Sequence, residues 1–260
     1  GACYKVSPSI FKELGAEVIL IGNNPDGFNI NQGCGSTHPE LLQEEVVKHR
    51  ADYGVALDGD GDRVILVDSN GNILDGDDLL YIMAFANPNR VGAWAGVVGT
   101  KMSNFGLEDG LNKLGYKFVR ADVGDKYVSQ KLSEKGWLLG GETSGHIISK
   151  DLVSTGDGTI AALKVISSLM ILEKTPSEVL ANYNKRPQIN IAVSVKNKDV
   201  INDSSIQSAI SEAQSDITVD RVLVRPSGTE SKIRVMVEAS DENTAKKYAK
   251  DLSQLIESKL

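Results

Sequence analysis

Short apolar, β-branched runs alternate along the chain with longer stretches whose apolar positions recur at helical spacing. The runs Ala16–Gly22 (AEVILIG), Tyr53–Leu57 (YGVAL), Trp94–Thr100 (WAGVVGT), Tyr116–Arg120 and Trp137–Gly140 predict buried strands. Between them, Pro8–Leu14, Pro39–Arg50, Asp77–Ala86, Ser103–Leu114, Gly124–Lys135 and Asp157–Leu172 predict helices. Leu41, Leu42, Val46 and Val47 form the apolar face of the second of these, and Ser103 is the expected cap of the fourth. Val64–Asp68 and Asn72–Leu74 flank Ser-Asn-Gly, a hairpin signal. Such alternation predicts open α/β layers with largely parallel sheets.

The pattern changes after Pro187. Gln188–Val195 predicts a strand and Ser204–Ser215 a helix. Two alternating strands, Thr218–Arg225 and Lys232–Ala239, are joined by a polar loop. Ala245–Leu260 closes the chain as a helix with Tyr248, Ala249, Leu252, Leu255 and Ile256 inward. Strand–helix–strand–strand–helix makes a small α+β domain. With Tyr183–Pro187 as linker, the predicted domains are 1–70, 71–184 and 185–260. The fold class is α/β: two consecutive α/β layered domains, then a small α+β C-terminal domain.

Composition narrows the function. The formal net charge of −7 argues against a general nucleic-acid surface or an anionic-membrane binder. No apolar run approaches the roughly 20 residues of a membrane span. Two cysteines, Cys3 and Cys34, are too few for a disulfide framework or a structural zinc site. The opening GACYKVSPSI has no signal-peptide pattern, so a reducing cytoplasm is the expected location. It also lacks an initiator methionine, and the chain is expected to be cut from something longer.

Chemistry concentrates in three loops. Leu57–Asp68 reads LDGDGDRVILVD, with Asp58, Asp60 and Asp62 alternating with Gly59 and Gly61 beside a strand. An EF-hand needs Gly at its sixth position and Glu at its twelfth, but Arg63 and Ser69 stand there. Alternation lets a turning backbone converge the three carboxylates on a divalent cation, and both glycines permit positive φ. Oxygen-only ligands favour Mg²⁺, Ca²⁺ or Mn²⁺ over zinc; the bland alternative is a solvated acidic turn. Arg63 can pair with a ligand aspartate or reach a phosphate.

Leu138–Ile148 (LLGGETSGHII) breaks a strand with glycines and presents Glu142, Ser144 and His146. A carboxylate, a hydroxyl and an imidazole suit sugar hydroxyls, and His146 is a candidate for titration near neutrality; the alternative is a plain strand-end turn. Leu223–Val235 (LVRPSGTESKIRV) lacks the P-loop pattern. Ser227, Gly228 and Thr229 nevertheless offer hydroxyls and backbone N–H groups, with Arg225 and Arg234 supplying positive charge: a phosphate nest, or a polar hairpin tip. Asn23–Glu40, rich in Asn, Gly and Pro, reads as a further binding loop.

DGDGDR, GETSGH and RPSGTE, in this order, resemble the metal, sugar and phosphate loops of the α-D-phosphohexomutase superfamily. PDGFNIN, CGSTHPE, VVGTKMSNFGLE and VGDKYV are similar to its bacterial phosphoglucosamine mutase branch, so the resemblance covers essentially the whole chain. It implies an isomerase interconverting glucosamine 6-phosphate and glucosamine 1-phosphate for UDP-N-acetylglucosamine and cell-wall synthesis. The route is a phosphoserine and a bisphosphorylated sugar. It implies Mg²⁺ on Asp58, Asp60 and Asp62; Glu142 and Ser144 on the sugar; and Arg225, Ser227, Gly228, Thr229 and Arg234 on the non-reacting phosphate. Arg63 and His146 are implied as catalytic residues for proton handling or charge stabilisation.

The family's serine lies in a first domain, in a T-A-S-H-N-P-like loop that this sequence does not contain. The resemblance therefore implies a fragment, inactive alone, whose first domain also lacks its opening strand. Its implied partners are a hexosamine phosphate and the absent N-terminal domain, with room left for a homodimer. Ser36 in GSTHPE is a weak substitute nucleophile. Thr143 departs from the branch's frequent Gln, and Ser231-Lys232 from its usual Pro-Leu. The rivals are a phosphomannomutase/phosphoglucomutase and a non-catalytic sugar-phosphate-binding protein.

Overall fold

Alternating strands and helices do form, but they pair less regularly than the sequence pattern suggests. The computed structural model describes residues 1–228 and 230–259. They divide into two compact units: Gly1–Ser103 with Leu107–Asn184, and Asn104–Gly106 with Lys185–Leu260.

The first unit opens with α1 (Val6–Glu13), α2 (Glu40–His49), β1 (Tyr53–Leu57), β2 (Val64–Asp68), β3 (Ile73–Leu74) and α3 (Gly76–Ala86). It continues with β4 (Gly96–Thr100), α4 (Phe105–Lys113, of which Phe105 and Gly106 group with the second unit), β5 (Lys117–Ala121), α5 (Asp125–Lys135), β6 (Leu139–Gly141), β7 (Ile147–Ser149), α6 (Gly158–Leu172) and α7 (Pro176–Leu180). One sheet runs β1-β2-β3 and is wholly antiparallel, so the acidic loop is a hairpin connection from β1 to β2. The other runs β5-β4-β6-β7; β4 is parallel to β5 and β6, and β7 returns antiparallel to β6. The expectation of largely parallel sheets holds for β5-β4-β6 alone.

The predicted strand Ala16–Gly22 is not a strand here. An apolar β-branched run becomes a strand only when a neighbour satisfies its N–H and C=O groups. Among the described residues β1 pairs only with β2, and Ile19 and Leu20 lie half exposed. The predicted cap also moves by one residue. Ser103 Oγ accepts from the Thr100 N–H, while Asn104 Oδ1 accepts from the Gly106 N–H and caps α4.

Helix α3 is apolar nearly all round, which places it at the centre rather than on a face. Leu79, Leu80, Tyr81, Ile82, Met83 and Ala84 are all buried. Asp75 and Asp78 close a capping box at its start, and Tyr81 stacks on Tyr183 with ring centroids 5.0 Å apart. No helix among the described residues is long and apolar enough to cross a membrane.

The second unit has β8 (Gln188–Ser194), α8 (Ser204–Ser215), β9 (Val219–Pro226), β10 (Lys232–Ala239) and α9 (Glu242–Glu257). Its sheet, β8-β10-β9, is antiparallel with β10 central. Ile233, Val235 and Val237 bury against Ala245, Ala249, Leu252 and Ile256 of α9, with Tyr248 and Leu255 at the margin of that core. Asp216 accepts from the Thr218 hydroxyl and N–H and from the Tyr248 hydroxyl at 2.7 Å. These bonds hold its carboxyl down from the ordinary 3.8 to about 2.

Two outcomes follow. Gly145 has φ +93°, and a Cβ there would stand 2.0 Å from the Val64 carbonyl oxygen. Gly145→Ala should therefore destabilise the chain by at least about 2 kcal/mol in chemical denaturation. A carboxyl depressed in the folded state stabilises above its unfolded value and ceases to as pH falls through its folded one. Asp216 should thus support the fold above pH 3.8 and stop doing so near pH 2; Asp216→Asn should flatten that acid limb in a denaturation series against pH.

Candidate active site

Strand β1 ends at Leu57 and the chain reverses through Asp58–Arg63 into β2. Asp58 organises this turn from within: its Oδ1 accepts from the N–H groups of Gly61 and Arg63, each at 3.1 Å. Of the two glycines only Gly61 takes positive φ, at 81°; Gly59 does not need the freedom expected of it. One carboxylate oxygen from each of Asp58, Asp60 and Asp62 lies within 4.8 Å of the others. Three like charges so close repel strongly. The guanidinium of Arg63 partly offsets them, with Nε 3.5 Å from Asp58 and 3.7 Å from Asp62. Asp62 Oδ1 is buried with no hydrogen-bond partner among the described residues. An oxygen-only donor set with such an unsatisfied oxygen fits a hard divalent cation.

The loop between β6 and β7 docks directly on this turn. The Val64 N–H donates to the Gly145 carbonyl at 3.1 Å, and Arg63 and His146 form an isolated antiparallel bridge. His146 Nδ1 lies 3.0 Å from Asp62 Oδ2. His146 is buried. Glu142 Oε2 accepts from the Gly124 N–H at 3.0 Å. Thr143 is anchored twice, its hydroxyl on Asp77 and its carbonyl on the Gly76 N–H. Ser144 is exposed at the tip.

Asp62, Arg63, Glu142, Ser144 and His146 line one pocket of about 370 Å³, together with Gly124 and Asp125. The last two belong to the VGDKYV segment of the resemblance but were not among the predicted site residues. Their signal was a glycine directly before α5, although the Gly124 N–H is itself taken by Glu142. A second pocket, of about 410 Å³, lies in the Asn-rich loop; Gly22, Asn24, Asn29 and Cys34 are among its walls. It contains none of the three acidic-loop carboxylates. Ser36 lines neither pocket; its N–H donates to the Leu57 carbonyl.

In the second unit, Arg225 of β9 and Arg234 of β10 stand directly opposite each other. Like charges at facing positions of an antiparallel pair destabilise it. Glu230 offsets part of this, accepting from Arg234 at 2.8 Å and Lys232 at 2.5 Å. Lys232 first, then Arg234, holds the Glu230 carboxyl below its usual range. Arg225 has no ion pair among the described residues. Ser227 is buried: its Oγ accepts from the Glu230 N–H and its carbonyl from Lys198 Nζ at 2.6 Å. Gly228 is exposed beside it. Thr229, named with this loop from the sequence, lies outside the described residues.

Models of the phosphoglucomutase/phosphomannomutase family match along the chain. Alpha/beta/alpha domain II covers residues 1–71, alpha/beta/alpha domain III 75–186 and the C-terminal domain 189–255. Among curated relatives, the phosphoglucosamine mutase of Cellvibrio japonicus (strain Ueda107) is 48% identical over 262 residues, covering 100% of this chain and 59% of its own. That of Alcanivorax borkumensis is 45% identical over 259 residues, covering 99% and 58%. The chain thus spans less than two thirds of the length of these relatives. Solved structures share the fold. A phosphoglucomutase/phosphomannomutase family protein from Burkholderia thailandensis superposes with TM-score 0.76 at 24% identity, over 99% of this chain and 58% of its own. Aspergillus fumigatus N-acetylphosphoglucosamine mutase, solved with GlcNAc-6P and magnesium, gives 0.74 at 21% identity, over 96% and 63%. Matched from its first residues to its closing helix by three successive domain models, the chain belongs to the phosphoglucomutase/phosphomannomutase family.

Proposed function

We propose that the chain carries the metal, sugar and phosphate loops of a phosphoglucosamine mutase, an isomerase that interconverts glucosamine 6-phosphate and glucosamine 1-phosphate. The observation that carries the reading is the convergence of Asp62 with Glu142 and Ser144 on one pocket. An acidic loop built for a hard cation and polar groups suited to sugar hydroxyls open on the same space. The identity to curated phosphoglucosamine mutases supports the amino sugar as substrate.

In this reading Asp58, Asp60 and Asp62 hold Mg²⁺. When bound, the cation supplies charge stabilisation at a transferring phosphoryl group. Arg63 stabilises the same developing charge, being tethered beside the acidic loop yet half exposed toward the pocket. Glu142, pinned by the Gly124 N–H, and the exposed Ser144 hold the sugar hydroxyls. Gly124 and Asp125 complete that wall. The facing Arg225 and Arg234, with Ser227, Gly228 and Thr229, take a phosphate group of the substrate, whose negative charge relieves their mutual repulsion. The phosphoserine that exchanges phosphoryl groups with the sugar belongs to an N-terminal domain outside these 260 residues. That domain is a partner of the chain, a homodimer is a further one, and the cytoplasm is the location.

Calorimetry in Mg²⁺ tests the substrate: glucosamine 6-phosphate should bind roughly tenfold more tightly than mannose or glucose 6-phosphate, about 1.4 kcal/mol. Equal binding of all three would favour a phosphomannomutase/phosphoglucomutase. Arg225→Ala should weaken that binding by about 1.5–3 kcal/mol. It should leave the unliganded hairpin no less stable, because it removes one of two facing like charges. With Mg²⁺ and a trace of glucose 1,6-bisphosphate, the chain alone should not turn over glucosamine 6-phosphate. Turnover that Ser36→Ala abolishes would overturn the assignment of the phosphoserine to another domain.

A further inference from the structure

The tip of the β9–β10 hairpin is gripped by a side chain from outside the hairpin. Lys198 opens the short 3₁₀ turn Lys198–Asn202, which Asn197 caps by accepting from the Asp199 N–H at 2.9 Å. Val200 and Ile201 of that turn pack on the core of the second unit, so Lys198 is presented from a fixed frame. Its ammonium donates to the Ser227 carbonyl at 2.6 Å. The residue is half-buried, and no carboxylate among the described residues pairs with it.

Ser227 is held at its nitrogen, its hydroxyl and its carbonyl. Its N–H donates to the Lys232 carbonyl at 2.8 Å, and its Oγ accepts from the Glu230 N–H at 3.3 Å. The carbonyl that Lys198 holds shares one planar trans peptide with the Gly228 N–H, so the two point to opposite sides. The Gly228 N–H is thereby turned away from Lys198. It donates to no described residue, and a Cβ at position 228 would meet nothing within 4 Å, so the space around it is open. Glycine offers the least resistance to a flip of that peptide. A flip would put the carbonyl where the N–H now stands, and an anion is bound by N–H groups and repelled by carbonyl oxygens.

We propose that Lys198 is a positioning residue for phosphate: by holding the Ser227 carbonyl it fixes the Ser227–Gly228 peptide with the N–H turned out to receive an anion. This rests on the reading of the hairpin tip as a phosphate site. The same contact covers the negative end of the peptide dipole with a positive charge. Arg225, which has no ion pair among the described residues, supplies charge that draws the anion in. Lys198 sets the backbone donor that meets it.

¹H–¹⁵N NMR of the 260-residue chain, titrated with inorganic phosphate at low ionic strength, tests this. In the wild type the Gly228 amide and the Arg225 Nε–H should both shift. Lys198→Met, which keeps the bulk of the side chain without its donor or charge, should move the Gly228 amide before any phosphate is added. It should weaken phosphate binding about tenfold. At saturation it should abolish the Gly228 response while the Arg225 response survives. Lys198→Arg, which keeps both donor and charge, should bind within about threefold of wild type. Circular dichroism checks folding, and Lys198→Ala takes the place of Lys198→Met should the latter not fold. Lys198→Met binding as tightly as wild type overturns the inference, as does Lys198→Arg binding as weakly as Lys198→Met. Weakened binding with an unchanged Gly228 shift at saturation reports a lost charge alone and overturns it too. A wild type in which Arg225 responds and Gly228 does not overturns it without any variant. If neither responds in the wild type, the phosphate reading of the tip itself falls.

Discussion

Three carboxylates crowded into one turn are the constraint around which the first unit is arranged. Their repulsion is not solved inside the turn. Asp58 takes two backbone N–H groups, which shapes the loop but leaves net negative charge on it. Arg63 at the end of the turn offsets part of it, and a loop distant in sequence, docked through Gly145 on Val64, meets Asp62 with His146. Without that docked loop, the carboxylates would be free to swing apart into solvent, and the donor set would lose its convergence.

Close backbone approach is how the docking is achieved. Gly145 against Val64, Gly76 against Glu142 and Gly158 against Arg63 are all places where a Cβ would collide with a carbonyl oxygen or carbon. Main chains can then hydrogen-bond across the seam with little side-chain freedom lost. Such contacts set loop positions more tightly than long side chains could.

The second unit presents the opposite imbalance on a simpler frame. Its hairpin places two arginines face to face, and Glu230 offsets only part of their charge. Ser227 is fixed at the tip by the Glu230 N–H and by Lys198. One unit thus crowds carboxylates in a turn and the other sets arginines on facing strands, in each case holding like charges close together.

Residues that act through neighbours in the chain were legible in the sequence. The Asp-Gly alternation, the Glu-Thr-Ser-Gly-His turn and the Ser-Gly-Thr hairpin tip are contiguous, and their chemistry follows from residue type and spacing. Helices such as Ser204–Ser215 and strands such as Tyr53–Leu57 and Lys232–Ala239 were equally plain from periodicity. What the tertiary structure decided is what depends on partners far away. Ala16–Gly22 has a strand's composition but no ladder among the described residues. The acidic loop proved to be an antiparallel hairpin. Gly124 and Asp125 reach the pocket only because α5 starts at its rim. The contact of His146 with Asp62 spans 84 positions, so no local pattern could reveal it. Residue identity determines which chemistry a loop can offer; only packing determines which of its atoms are already taken.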